Sequence, residues 1–215
     1  MHDDGTSTPV WWHLALNERP GSVAGLRERK KARTKALLQE TALKLFRENG
    51  FSATSVDEIA AAADVSRSTF FRYFGSKEAV LFSDFEETGS LLTHLLEARP
   101  PEETPVQAFE EALLEVSNRT DTESRRTYSR MFEEVVREDA GLEARRFVEL
   151  DRWTGRIAES FARREQRPVT ANDTLAAATC LTVVEQIGRR WRQSPDLTAV
   201  QTIKETFQTL REMTR

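Results

Sequence analysis

Apolar residues recur at helical spacing along most of the chain. Leu38, Ala42, Leu45 and Phe46 stand at i, i+4, i+7 and i+8, one stripe on a helix expected over residues 26–49. Glu40 and Lys44 form a favourably ordered i,i+4 pair on it, and Gly50 supplies the stop. Ser55-Val56-Asp57-Glu58 has the spacing of a capping box, in which the Ser55 hydroxyl and the Glu58 carboxylate each satisfy a free amide at a helix start. The helix it opens, with Val56, Ile59, Ala60 and Ala63 inward, runs for about two turns. Asp64-Val65 makes a tight turn, Ser66 caps a second short helix ending near Phe74-Gly75, and Ser76 caps the next. Longer helices are expected over 77–98 (ending before Pro100-Pro101), 105–118, 122–138, 142–164, 171–193 and 197–213. The breaks fall at Asp121, Gly141, Arg167-Pro168 and Ser194-Pro195. Residues 1–25 have no sustained period and read as a flexible arm, with Trp11-Trp12 expected to tether it locally to the body.

Composition narrows the class. With 9 Gly and 7 Pro in 215 residues, the turns of a sandwich or barrel are too few, and the fold class is all-α, about nine helices. Two short helices joined by a tight turn, with a third helix in front, make residues 26–76 a helix-turn-helix head, and residues 77–215 form a helical body. Cys180 is the single cysteine, so an intrachain disulfide and a multi-cysteine metal cage are excluded; its apolar neighbours make it a buried packing residue. Three histidines (His2, His13 and His94) give no metal cluster, and the carboxylates show no catalytic spacing. No catalytic residue, no metal and no cofactor is expected. The first residues lack the cationic start and apolar run of a secretory signal, and no stretch is apolar enough to span a membrane. The expected location is cytoplasmic, at the nucleoid when DNA is bound.

The formal charge of −4 is unevenly spread: −2 over residues 1–20, +4 over 21–80 and −6 over 81–215. A basic head on an acidic body implies that the head alone meets a polyanion. Within it, the helix 66–74 carries two faces. Phe70 and Phe74 share one and pack on Val65, Ile59 and Phe46, whereas Ser68, Thr69 and Arg72 lie opposite. Arg67, in the first turn, has a planar fork that matches guanine O6 and N7, and Thr69 suits a base edge or a thymine methyl. Phosphate contacts are expected from Lys77 at the next helix start, from the Tyr73 hydroxyl, and from Arg27, Lys30, Lys31 and Arg33 on the leading helix; Ser55 is counted among the DNA-binding residues.

The segment Ala42-Leu43-Lys44-Leu45-Phe46…Gly50-Phe51…Thr54-Ser55-Val56…Ile59-Ala60…Val65-Ser66…Thr69-Phe70-Phe71-Arg72-Tyr73-Phe74…Ser76-Lys77-Glu78…Leu81 resembles the DNA-binding head of the TetR family of bacterial transcriptional regulators. The resemblance covers residues 26–82; beyond them it is one of architecture. It implies a homodimer whose two heads read a pseudo-palindromic operator on double-stranded DNA, and a body in which a small molecule alters head separation. Two positions depart from the family pattern. Phe71 stands where tyrosine is common, removing a hydroxyl that often reaches DNA, and Asp64 stands where glycine is frequent, a replacement the left-handed region tolerates.

The same resemblance places a ligand pocket among the middle helices, where Phe85, Leu92, Leu95, Phe109, Leu113, Tyr128, Met131, Phe132, Trp153, Ile157 and Phe161 are candidates for an apolar or aromatic ligand. Aromatic residues at helical spacing also suit a plain core. His94, or Arg152 and Arg156 beside Trp153, could serve as polar handles, though a solvated face explains them equally. The last two helices are the family's dimerisation element. Residues 174–188 look apolar nearly all round (Ala176, Ala177, Ala178, Cys180, Val183, Val184, Ile187), and Val200, Ile203, Phe207 and Leu210 form a narrower seam. The function expected is a repressor released from its operator by a small molecule; the alternative is a ligand-independent architectural DNA-binding protein of the same fold.

Overall fold

The computed structural model describes residues 26–120, 122–194 and 196–213. The expected arm and the Trp11-Trp12 tether lie outside the described residues. Among these, nine helices occur and no strand: α1 (Leu26–Asn49), α2 (Val56–Ala62), α3 (Arg67–Tyr73), α4 (Lys77–Glu97), α5 (Pro105–Thr120), α6 (Glu123–Glu138), α7 (Ala140–Arg164), α8 (Ala171–Gln193) and α9 (Ala199–Met213). The all-α architecture read from the periodicity is therefore the one observed.

Most helix starts are set by side chains that sit where the spacing puts them. Ser55 and Glu58 form the expected reciprocal box, the Ser55 amide donating to Glu58 Oε2 at 2.7 Å and the Glu58 amide to Ser55 Oγ at 3.2 Å. The Ser55 backbone bond is the main reason the Glu58 carboxyl lies below its ordinary range. Ser66 and Ser76 accept from the amides of Thr69 and Ala79, both at 3.1 Å. Thr104 with Gln107 and Thr198 with Gln201 add two further boxes at α5 and α9 that the sequence reading passed over. The break expected at Gly141 is displaced to Asp139, whose carboxylate accepts from the Gly141 and Leu142 amides and so draws the glycine into the first turn of α7.

The chain divides into two compact units. The first takes the residues up to Leu81 together with Thr122–Val135. Its centre is built from Leu38, Leu43 and Phe46 of α1, Ile59 of α2 and Phe70 of α3, all essentially buried. Thus Leu43 rather than Leu45 completes the buried side of α1. Phe51 meets Phe46 edge-on with ring centroids 4.9 Å apart. Asp64 adopts φ 52°, the left-handed conformation expected of it, and Val65 N closes the turn onto Ala60 O at 2.9 Å.

The second unit comprises Phe82–Asp121 and Val136–Arg215. One contiguous core unites Leu92 and Leu96 of α4, Phe109 and Val116 of α5, Ile157 and Phe161 of α7, Cys180 and Ile187 of α8, and Ile203 and Phe207 of α9. Burial alone pushes the Cys180 thiol up to about 12, so it behaves as the small packing residue expected. The division falls inside α4, between Leu81 and Phe82, and inside α6, between Val135 and Val136, so both helices belong to both units, whereas the sequence reading drew the boundary between residues 76 and 77.

Candidate nucleic-acid interface and effector-binding body

Helix α3 is anchored by two aromatic side chains. Phe70 is fully buried, and Phe74, at its C-terminal cap, is 3% exposed. That anchoring leaves Arg67, Ser68 and Arg72 exposed, with Thr69 and Tyr73 half-buried. Arg27, Lys30, Lys31 and Arg33 are exposed on α1 of the same unit. The head therefore presents a basic, hydroxyl-bearing surface.

The polar groups of α3 are linked to one another. The Ser66 hydroxyl lies 2.9 Å from both the Ser68 and Thr69 hydroxyls. Arg67 Nη1 donates to Asp57 Oδ2 at 2.6 Å, and the Arg67 guanidinium sits 5.2 Å from the centroid of the Phe71 ring. Arg72 lies 5.4 Å from the Tyr73 ring centroid. Asp57 escaped the sequence reading except as part of a capping motif, because its contact with Arg67 needs the geometry of the intervening turn.

Two of the expected DNA-contacting residues are engaged within the head. The Ser55 hydroxyl accepts from Glu58 N and donates to Glu58 Oε2 at 2.8 Å, while the Ser55 amide donates to the same carboxylate. Both its protons are spent, and a phosphate oxygen needs a donor; Ser55 is a cap. Lys77, half-buried, points its ammonium back into the head, donating to Phe51 O at 2.7 Å and Thr54 O at 2.9 Å, 4.3 Å above the Phe51 ring centroid. It ties the α1–α2 turn to the start of α4, sharing Phe51 O with the Thr54 amide, which donates to it at 3.3 Å. Lys77→Met, which keeps most of the stem, is accordingly expected to cost about 1–2 kcal/mol of stability. The slope of DNA affinity against salt should stay unchanged; a slope reduced by about 1 would return Lys77 to the phosphate contacts.

The residues expected to line a pocket divide three ways. Phe109, Ile157 and Phe161 are fully buried in the core of the second unit, with Leu92 and Trp153 close behind. Phe85, Leu95 and Leu113 are half-buried in that same unit. Tyr128, Met131 and Phe132 belong to the first unit, where the Tyr128 hydroxyl donates to Leu81 O at 3.3 Å. The proposed arginine handles are engaged internally. Arg156 stacks 4.0 Å over the Trp153 ring and donates to Glu86 Oε1 at 2.6 Å and Ser90 Oγ at 3.1 Å, and Arg152 pairs with Glu149 at 3.3 Å. His94 is exposed. Among the described residues no cluster of His, Cys, Asp or Glu is placed to hold a metal, and no helix is long and apolar enough to cross a membrane.

Helix α8 is less uniformly apolar than its composition suggests. Ala177, Cys180, Val183, Ile187 and Trp191 are buried within its own unit, whereas Leu175, Ala178, Thr182, Gln186 and Arg189 are exposed. Beside it, Gln186, Arg189, Arg190 and Gln193 with Thr206 and Thr209 of α9 border an open groove of about 260 Å³.

Comparison with known proteins places this geometry. The family model described as bacterial regulatory proteins, tetR family, matches residues 38–83, and the model described as the MftR C-terminal domain matches residues 103–215. The HTH-type transcriptional regulator TcmR of Streptomyces glaucescens is 33% identical over 169 residues, 77% of this chain and 74% of that protein. The putative mycofactocin biosynthesis transcriptional regulator MftR of Mycobacterium tuberculosis is 32% identical over 136 residues, 63% and 68% of the two chains. In fold, the chain is similar to NalD, the secondary repressor of the MexAB-OprM multidrug efflux pump in Pseudomonas aeruginosa, with a TM-score of 0.54 at 18% identity over 86% of this chain and 96% of that one. A helix-turn-helix head and a matching helical body on one chain lead to a single conclusion: the protein belongs to the TetR family and is a DNA-binding transcriptional regulator.

Proposed function

We propose that the protein is a repressor that binds a pseudo-palindromic operator as a homodimer and leaves it when a small, largely apolar molecule occupies the body. The observation that carries this reading is the two-sidedness of α3: Phe70 is sealed into the head while Arg67, Ser68 and Arg72 stand exposed. Base contacts come from Arg67, Ser68 and Thr69, and backbone contacts from Arg72, Tyr73 and the α1 cations Arg27, Lys30, Lys31 and Arg33. Residues 26–76 read DNA and residues 77–215 bind the ligand and the second subunit. The half-buried Phe85, Leu95 and Leu113 are the residues a ligand reaches without dismantling the core. Subunits pair through α8 and α9, whose exposed sides carry small and polar residues around Leu175. Paired recognition helices then stand about 34–36 Å apart, one turn of duplex.

A ligand shifts such a regulator only by binding one body conformation better than the other. Helix α4, which like α6 is shared between the two units, is a continuous element through which that preference reaches the head. The test is a thermal-shift screen of apolar and aromatic compounds, followed by operator titration with each stabilising compound. The expected result is a dimer whose operator affinity falls by about 10–100-fold at saturation. A stabilising compound that leaves operator affinity untouched, or a protein that binds operator as a monomer, would contradict the reading.

A further inference from the structure

The capping box that opens α2 is complete with Ser55 and Glu58 alone. The intervening Asp57 instead sends its carboxylate across the turn to the first residue of α3, where Oδ2 accepts from Arg67 Nη1 at 2.6 Å. Both side chains are largely exposed, 64% for Asp57 and 60% for Arg67, and an ion pair in that setting contributes little to stability. Its consequence is orientation. Arg67 is held from a second side by Phe71, whose ring centroid lies 5.2 Å from the guanidinium carbon. That ring is in turn set edge-on against Phe70, centroids 5.5 Å apart at 83°, and Phe70 is fully buried. Support thus runs from the core through Phe70 and Phe71 to Arg67, and Asp57 closes it from α2.

We propose that Asp57 is a positioning residue for base readout: with Phe71 it fixes the Arg67 fork, so that discrimination at one guanine of each half-site depends on a carboxylate that meets no base. The inference rests on the reading of the chain as an operator-binding protein that uses α3. Engagement of one Nη1 proton leaves both Nη2 protons and the Nε proton of Arg67, enough for a bidentate contact to guanine O6 and N7. A fork already fixed loses less freedom on meeting its base. The phenylalanine at position 71 fits this arrangement, offering Arg67 an apolar face with no hydroxyl to compete for its donors. Yet a carboxylate beside duplex DNA is repelled by the phosphates. The two effects of Asp57 therefore have opposite signs, which a purely structural residue would not produce.

The experiment enriches a randomised duplex library with the full-length protein, then titrates the enriched site, its single-base variants and unrelated duplex. Wild type, Asp57→Asn, Phe71→Leu and Arg67→Ala are compared, with thermal unfolding of each recorded. Arg67→Ala should lose about tenfold or more of the preference at one guanine. Asp57→Asn should lose about three- to tenfold at that same position and at no other, while binding unrelated duplex as tightly as wild type or more so. Phe71→Leu should weaken the same position. A gain that is equal at every site would reduce Asp57 to a repulsive charge and overturn the proposal, as would an equal loss everywhere with lowered unfolding temperature. A guanine preference undisturbed in Asp57→Asn overturns the proposal and leaves operator binding standing. A library from which the wild type enriches no sequence removes both.

Discussion

Asp173→Ala is expected to lower the free energy of unfolding by about 3–4 kcal/mol. Asp173 is 1% exposed at the third position of α8 and serves two partners at once. Its Oδ2 accepts from the Thr170 amide at 2.8 Å and the Thr170 hydroxyl at 2.7 Å, completing the helix cap. The same carboxylate takes both ends of the Arg167 fork, Nη1 at 2.6 Å and Nη2 at 2.8 Å. Arg167 follows Gln166, which turns the chain at φ 53°, so the clasp pins the α7–α8 connection to the helix it leads into. The Arg167 fork first, then the Thr170 hydroxyl and amide, hold the carboxyl far below the ordinary aspartate range against the opposing effect of burial. A carboxyl depressed in the folded state stabilises fully above its unfolded value and loses that contribution as pH falls towards its folded value. The stability gap between wild type and Asp173→Ala, read from urea unfolding, should therefore be constant near neutrality and begin to close below roughly pH 4. A gap that persists unchanged well into acid would mean that the ionised carboxylate is not what the clasp uses.

This clasp also marks the limit of what the residues reveal in linear order. Caps at Ser55, Ser66 and Ser76 were legible because a cap joins a side chain to an amide three residues on, and spacing alone specifies it. The buried faces of α1 and α3 were legible for a similar reason, since helical periodicity fixes which residues share a side. The partners of Lys77, the carbonyls of Phe51 and Thr54, were not legible because they lie more than twenty residues back and only the fold brings them to its ammonium. A lysine at a helix start reads the same whether its ammonium meets a phosphate or its own turn. The body was less legible still. Phe109, Ile157 and Phe161 have a pattern that suits a pocket and a core equally, and only the folded chain shows all three fully buried in one cluster. Arg156 looked like a free cation because Glu86 and Ser90, its partners, stand on α4, far away along the chain.

Gly89→Ala should destabilise the protein by about 2–3 kcal/mol, although the same change in an exposed helix stabilises by roughly 1 kcal/mol. Gly89 lies within α4, and a Cβ built there would stand 2.1 Å from Cη2 and Cζ2 of Trp153 on α7. Carbon atoms rest at about 3.5–4.0 Å, so one partner must yield. The indole cannot yield cheaply. Trp153 is 3% exposed, Phe85 meets it edge-on with centroids 6.2 Å apart, and Arg156 covers its face while tied to Glu86 and Ser90. The effect of Gly89→Ala should consequently depend on residue 153. In a Trp153→Leu background, itself destabilised by the lost ring, adding Gly89→Ala should be neutral or stabilise by up to about 1 kcal/mol, a coupling of about 3 kcal/mol in the double-mutant cycle. Additive effects would show that α4 and α7 do not meet at Gly89. Because Phe85 and Trp153 are also candidate ligand contacts, the same pair of variants bears on the effector: a compound that displaces the indole should raise the unfolding midpoint of Gly89→Ala more than that of wild type, whereas one bound elsewhere should raise both equally.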